Sequence, residues 1–337
     1  MRKYCLLLLL AISLVSCDDS GVTVQDSIGR LNDIMVVIEN EDWEGALGDS
    51  IRKEFARPIL GIVREEPLFT LNHVKPSAFK GILTKSRNYL WVKKDQDTSM
   101  VNVKKNAYAN PQIGVVVRGT DAQDIADLIT SNADDIIQVF NKGEVKRKQK
   151  LMERVALNTD RIQKSFGIDI TFPRAYHYGI YKGEIKPDFY WLRRRIKEGT
   201  MDFMIYEVPF ERIKRDSNTV KDIIKVRDSI SAEKILVDEP GVFQTEPIFT
   251  PYLNESQIDG RFAFETKGTW EVKNKFMAGP FVNYAIYNKD RNTWLMIEGY
   301  VSAPNSVQRD YLFEIESILK SVDFIESNDT EDKADKD

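Results

Sequence analysis

The sequence predicts an α+β protein of two tandem related α/β units, each of order β-α-β-β-β-α with mainly antiparallel sheets, joined by a helical segment. Three observations lead there. Short β-branched runs give way to apolar residues three and four apart, so strands alternate with amphipathic helices. The second half repeats the order of the first. Finally, Asp49-Ser50-Ile51 recurs as Asp228-Ser229-Ile230, and Glu66-Pro67-Leu68-Phe69-Thr70 as Glu246-Pro247-Ile248-Phe249-Thr250, in register to within one residue. The expected division is a leader over 1–16, a flexible linker over 17–27, a first unit over 28–142, a connecting helix over 143–167, a second unit over 168–325 and an acidic tail over 326–337.

In the first unit, Ile34 to Ile38 reads as a strand. Trp43, Leu47, Ile51 and Phe55 then share a helical face, with Asn40 or Asp42 as its cap. Tyr89 to Val92 and Ile113 to Val117 are further strands, and Ile125 to Phe140 keeps one helical face behind Thr120 or Asp121. Between the units, Leu151, Val155, Ile162 and Phe166 line one side of a helix. Its Lys146-Arg147-Lys148 and Lys150 suit a solvated face, or contact with membrane phosphates. In the second unit Phe203 to Val208 is a strand and Val220 to Ile230 a helix. Phe281 to Tyr287 and Trp294 to Val301 form a hairpin, and Val307 to Leu319 is the last helix.

The N-terminus supplies an address. Arg2 and Lys3 precede an apolar run from Tyr4 to Val15, too short to span about 30 Å of hydrocarbon, so a signal peptide is expected rather than an anchor helix. Leu14-Val15-Ser16-Cys17 resembles a bacterial lipobox, whose cysteine takes the lipid. With Cys5 lost in the leader and Cys17 acylated, the mature chain would hold no thiol. That excludes disulfides, thiolate nucleophiles and cysteine-bound metals. The formal net charge of −4 is concentrated at the acidic ends, leaving a nearly neutral body that argues against nucleic acid as a partner.

The stretches Asn32-Asp33-Ile34, Trp43 with Leu47-Gly48-Asp49, Glu66-Pro67-Leu68-Phe69, Arg87-Asn88, Asn110-Pro111-Gln112, Asp259-Gly260-Arg261 and Met277-Ala278-Gly279-Pro280-Phe281 resemble a family of Bacteroidota lipoproteins. The family is domain of unknown function 4837. The resemblance runs over nearly the whole mature chain and implies a cell-envelope lipoprotein without an assigned reaction. Arg193-Arg194-Arg195 departs from that pattern.

Side-chain chemistry points the same way. His73 and His177 are the only histidines, and no metal-ligand spacing, nucleophile elbow or phosphate loop occurs, so no catalytic residue, metal or cofactor is expected. Glu65, Glu66 and Glu246 leave paired carboxylates as the one enzyme reading, a hydrolase of envelope carbohydrate. Binding has better material. In a strand, Phe189, Trp191, Arg193 and Arg195 share one face, a stacking and guanidinium surface for a glycan, or else a core-facing aromatic pair with snorkelling arginines. Trp270 beside Gly268 is a further candidate on an exposed loop, against the plainer reading that it packs. Asp26-Ser27-Ile28 resembles the three-residue site of O-glycan attachment on exported Bacteroidota proteins, which makes Ser27 a candidate acceptor. The expectation is an envelope protein lipid-anchored at Cys17, at the outer rather than the inner membrane, that binds a partner protein or glycan.

Overall fold

A computed structural model describes residues 25–62, 64–180 and 185–325. Cys17, the leader and the acidic tail lie outside these residues. The chain enters β1 (Asp33–Val37), returns through α1 (Asn40–Glu44) and α2 (Ala46–Phe55), and continues as β2 (Thr70–Val74), β3 (Asn88–Lys94), β4 (Met100–Lys105) and β5 (Ile113–Gly119). It closes the first unit with α3 (Ala122–Ser131) and α4 (Ala133–Glu153). The sheet order is β2-β1-β3-β5-β4, and only β4 runs against its neighbour. Strands in a parallel sheet are covered on both faces, which explains the adjacent, fully buried Val36 and Val37. One face packs Leu47, Ile51 and Phe55 of α2 with Ile125 and Ile129 of α3. Phe79 and Tyr89 cover the other. A Cβ at Gly114 would stand 2.0 Å from the Tyr89 ring, so glycine there lets the ring lie across β5.

The second unit runs α5 (Asp160–Phe166), β6 (Ile168–Asp169), β7 (His177–Tyr178), β8 (Phe189–Ile196), β9 (Gly199–Pro209), α6 (Thr219–Lys234), β10 (Val242–Thr245), β11 (Tyr252–Ile258), β12 (Arg261–Lys273), β13 (Ala278–Asn288), β14 (Thr293–Ser302), α7 (Arg309–Leu319) and β15 (Asp323–Phe324). Its main sheet follows β10-β12-β13-β14-β9-β8-β7, with β11 also on β12, and every pairing in it is antiparallel. Alternation divides the strands between two cores. Phe203, Ile205, Tyr284 and Ile297 meet α5 and α7 on one side, and Met204, Tyr206, Phe281 and Trp294 meet α6 on the other.

The α+β class with mostly antiparallel pairing holds over the molecule. The repeat does not extend to topology, because the first sheet is parallel in three of its four pairings and the second in none. Asp49 and Asp228 both sit in helices, but Glu66 precedes β2 whereas Glu246 follows β10. The expected boundary at 142/143 falls inside α4, which is continuous from 133 to 153.

That helix ties the halves together. Glu144 accepts from Arg87 and from Asn88 Nδ2 at 2.7 Å within the first unit. Lys148 Nζ reaches Glu314 of α7 at 2.7 Å, and Gln149 donates to the Ser317 carbonyl at 3.0 Å. The basic run is therefore neither a free solvated face nor a membrane patch throughout: Lys146 and Lys150 are exposed, while Arg147 and Lys148 are engaged. Asp121 caps α3 as expected, accepting from the Gln123 and Asp124 amides. Asn40 and Asp42 cap nothing; α1 begins after Glu39, without a side-chain cap.

Candidate functional site

A cleft of about 560 Å³ opens between the two units. One face of α7 lines it through Arg309, Leu312, Phe313 and Glu316, continued by the C-cap residue Lys320, at the three- and four-residue spacing of a single helical stripe. Asp134, Ile137, Asn141 and Val145 of α4 form the opposite wall, the segment Arg57 to Leu60 closes one end, and Asn254 and Lys267 project from β11 and β12. Leu60, Leu68, Ile137, Leu312 and Phe313 supply an apolar lining among four cations and two carboxylates.

Both carboxylates are already committed. Asp134 holds Arg57 at 2.7 Å. Glu316 holds Lys267 at 2.8 Å and Lys320 at 3.2 Å. Burial opposes charge on Glu316, but Lys267 and then Lys320 outweigh it and keep the carboxyl down at about 2. Lys267 is desolvated too, yet Glu316 and Glu265 raise its pKa. Behind it, burial and the charge of Glu265 push the Tyr284 phenol well up, and the phenol donates to Glu265 at 2.5 Å. Glu316 thus stays ionised at any ordinary pH and has no proton to give a leaving group. In contrast, Asn32 lines the same cleft almost fully buried, and its Oδ1 has no hydrogen-bond partner among the described residues. An unpaired amide oxygen enclosed in this way costs free energy in the folded protein.

The residues singled out from sequence lie elsewhere. Phe189, Trp191, Arg193 and Arg195 do share a face of β8, but it is no open platform. Phe189 is buried against Tyr206. Trp191 Nε1 and Arg193 Nε both donate to Oδ1 of the buried Asp202, at 2.9 and 2.6 Å, with the guanidinium 4.5 Å over the indole. Only Arg195, at the strand end, is exposed. Trp270 is not on a loop surface: it is buried in β12, stacked on Phe243, with Nε1 donating to the Val301 carbonyl at 3.3 Å. Ser27 is not open to a transferase either, because it is buried and its hydroxyl accepts from Arg147 Nη1. The expected linker is already pinned there, Asn110 donating to the Gln25 carbonyl and Ile28 to that of Lys85.

Of the carboxylate and histidine candidates, Glu66, Glu246 and His73 have structural work, while Glu65 is exposed. Glu66 reaches across the interface and accepts from the amides of Gln308 and Arg309 at the start of α7, at 2.6 to 2.9 Å. Glu246 accepts from its own turn, at Ile248 N and Phe249 N. His73 stacks on Trp43 and contacts the Ile38 carbonyl at 3.0 Å, and His177 lies exposed on the edge strand β7. No group of three or more metal-ligating side chains that could hold a metal ion occurs among the described residues.

Sequence reasoning missed Asn32, Arg57, Asp134, Lys267, Arg309, Glu316 and Lys320 as a set. The one available signal was α7, where charged residues fall on the same stripe as Leu312 and Phe313; a core-facing stripe that carries charges fronts a cleft. No helix among the described residues is long and apolar enough to cross a membrane.

A family model described as Domain of unknown function (DUF4837) matches residues 154–321, and one described as Domain of unknown function (DUF8532) matches residues 27–153. No curated protein matches. Among solved structures, the chain is similar to the Saccharomyces cerevisiae Ran-binding protein Mog1p, at 8% identity and a TM-score of 0.30, over 48% of this chain and 92% of that one. A mutant of protein Mog1 gives 8% identity and a TM-score of 0.29 over 48% and 93%.

Proposed function

We propose that this chain, which carries a DUF4837 domain over residues 154–321 behind a DUF8532 domain over 27–153, is a lipid-anchored cell-envelope protein that binds an acidic glycan between its two units. The carrying observation is the inter-unit cleft, where the largely buried Asn32 shares one opening with Arg57, Arg309, Lys320 and an apolar wall. A sugar hydroxyl lies beside Asn32, a uronate-type carboxylate meets the cations, and the apolar ring face lies on Leu312 and Phe313. Hydrolysis has less support, since a glycosidase needs one carboxyl able to give a proton and Glu316 and Asp134 both hold cations. The lipobox-like Leu14-Val15-Ser16-Cys17 supports the anchor.

Titration calorimetry with oligogalacturonate and with its neutral methyl ester tests the ligand class. Binding of the acidic form alone is expected, with roughly tenfold weakening in Lys320→Ala and in Asn32→Ala, about 1.4 kcal/mol each. Equal affinity for both oligomers, or binding untouched by either substitution, overturns the reading. Intact mass of the protein from its native membrane tests the anchor; a mature N-terminus other than acylated Cys17 rejects it.

A further inference from the structure

The turn between β12 and β13 is built to present an apolar side chain outward. Met277 O accepts from Val272 N at 2.8 Å and Val272 O accepts from Lys275 N at 3.0 Å, closing the turn. Asn274 takes the left-handed conformation, φ 66, at its corner. The two strands leading into it are anchored by buried Trp270 and Val272 on one side and Phe281 on the other. At the tip, Phe276 is more exposed than in an extended chain, at 111%, and Met277 beside it is nearly half exposed. Phe276 and Met277 thus make a contiguous apolar pair that projects from the tip of the turn.

The same end of the sheet adds to it. Val242 pairs with Lys273 and is exposed, and Val307 is exposed in the segment that follows β14. Lys273 and Lys275 flank the tip, while Arg195 and Lys197 stand at the β8–β9 turn, two pairings beyond β13 at that end. Glu198 offsets Lys197 at 3.8 Å, and Asp238 and Glu239 lie on the loop whose carbonyl at Glu239 accepts from Lys275 Nζ.

We infer that this end of the second unit is a bilayer-contact surface, in which Phe276 and Met277 enter the interface of a lipid leaflet and Lys273 and Lys275 rest on anionic headgroups. Convexity favours lipid over a folded partner, because a protruding ring needs either a preformed pocket or a soft apolar medium. Lysines directly beside the ring complement lipid phosphates, and their aliphatic stems extend the apolar surface. The inference is independent of the cleft. It differs from the Cys17 anchor too, since an acyl chain attaches the protein whatever its orientation, whereas this turn would set which end faces the leaflet.

Brominated acyl chains test it. The full protein, purified in detergent and reconstituted into brominated phosphatidylglycerol–phosphatidylethanolamine vesicles, is compared with its Phe276→Trp variant and with a Phe249→Trp control on the exposed 246–251 turn. The tryptophan introduced at the tip should be quenched at least about twofold beyond the wild-type baseline, as expected for a ring inside the headgroup boundary, and the control should not be. Adding Lys273→Glu and Lys275→Glu should abolish the quenching. Vesicle flotation reads the lipid anchor separately, so protein that floats without quenching at the tip, or quenching equal at both positions, overturns the inference and leaves the anchor standing.

Discussion

In the first unit Glu66-Pro67-Leu68-Phe69-Thr70 buries its phenylalanine and lends its carboxylate to a helix of the other unit, whereas Glu246-Pro247-Ile248-Phe249-Thr250 exposes both apolar residues and turns its carboxylate on its own loop. A carboxylate satisfies whichever unpaired amides lie in reach. For Glu66 these are first-turn amides of α7, which no helical carbonyl can serve, and the helix dipole adds to the attraction. For Glu246 they are the amides of a local turn. Near-identical pentamers therefore do opposite things: one joins the units and the other shapes an edge.

The units also differ in the charge they enclose. Arg227 of α6 and Glu298 of β14 face each other at 2.8 Å with neither exposed, while Arg87 and Glu144 of the first unit retain partial contact with solvent on the arginine side. Breaking the enclosed pair should give the largest effect of any single change here. Arg227→Ala leaves Glu298 uncompensated and should cost about 3–5 kcal/mol in urea unfolding, whereas converting both residues to methionine should come out close to neutral. Equal losses from the single and double changes would mean that packing, not charge, dominates at this site.

Next in size is acid sensitivity at α7. The Glu316 carboxyl is depressed from 4.5 to about 2 in the folded protein, so its contribution is complete above pH 4.5 and is lost as pH falls toward 2. Stability should decline over that window, and Glu316→Gln should flatten the decline while lowering stability at neutral pH. An unchanged acid limb would place the acid-sensitive group elsewhere.

The pentamers themselves give the sharpest contrast. Glu66→Ala should cost about 0.5–2 kcal/mol, the usual range for losing a helix N-terminal acceptor. It should also increase hydrogen exchange at Gln308 and Arg309. Glu246→Ala, on an exposed turn, should stay within about 0.5 kcal/mol. Equal effects would erase the distinction between the two copies.

Much of the secondary structure was legible in the sequence. Apolar spacing located β1, β3, β5, β9, β13, β14 and the helices α6 and α7, while the single helical face expected over Ile125 to Phe140 divides at Asn132 into α3 and α4; of the two readable caps, Thr120 and Asp121, the structure uses Asp121. Strand β12 was hidden, since its inward positions include the polar Thr266 and the side-chain-free Gly268 rather than an unbroken apolar series, and Trp270 consequently looked like a loop residue. Ser27 looked accessible because its neighbours are polar; Arg147, 120 positions away, covers it.

By itself, then, the sequence determined where strands and helices form, the absence of thiol chemistry from residue 18 onward and the expectation of an N-terminal address, all of which are properties of single segments or of composition. Tertiary structure alone decided that one sheet is parallel and the other antiparallel, that α4 belongs to both units, and that Glu66 caps α7. It also decided that Asn32, Arg57, Asp134 and the charged stripe of α7 share a cleft. Hydrophobic period is set by a few neighbouring residues, but pairing direction and the partner of a buried polar atom depend on which distant backbone and side-chain groups packing brings within hydrogen-bonding distance.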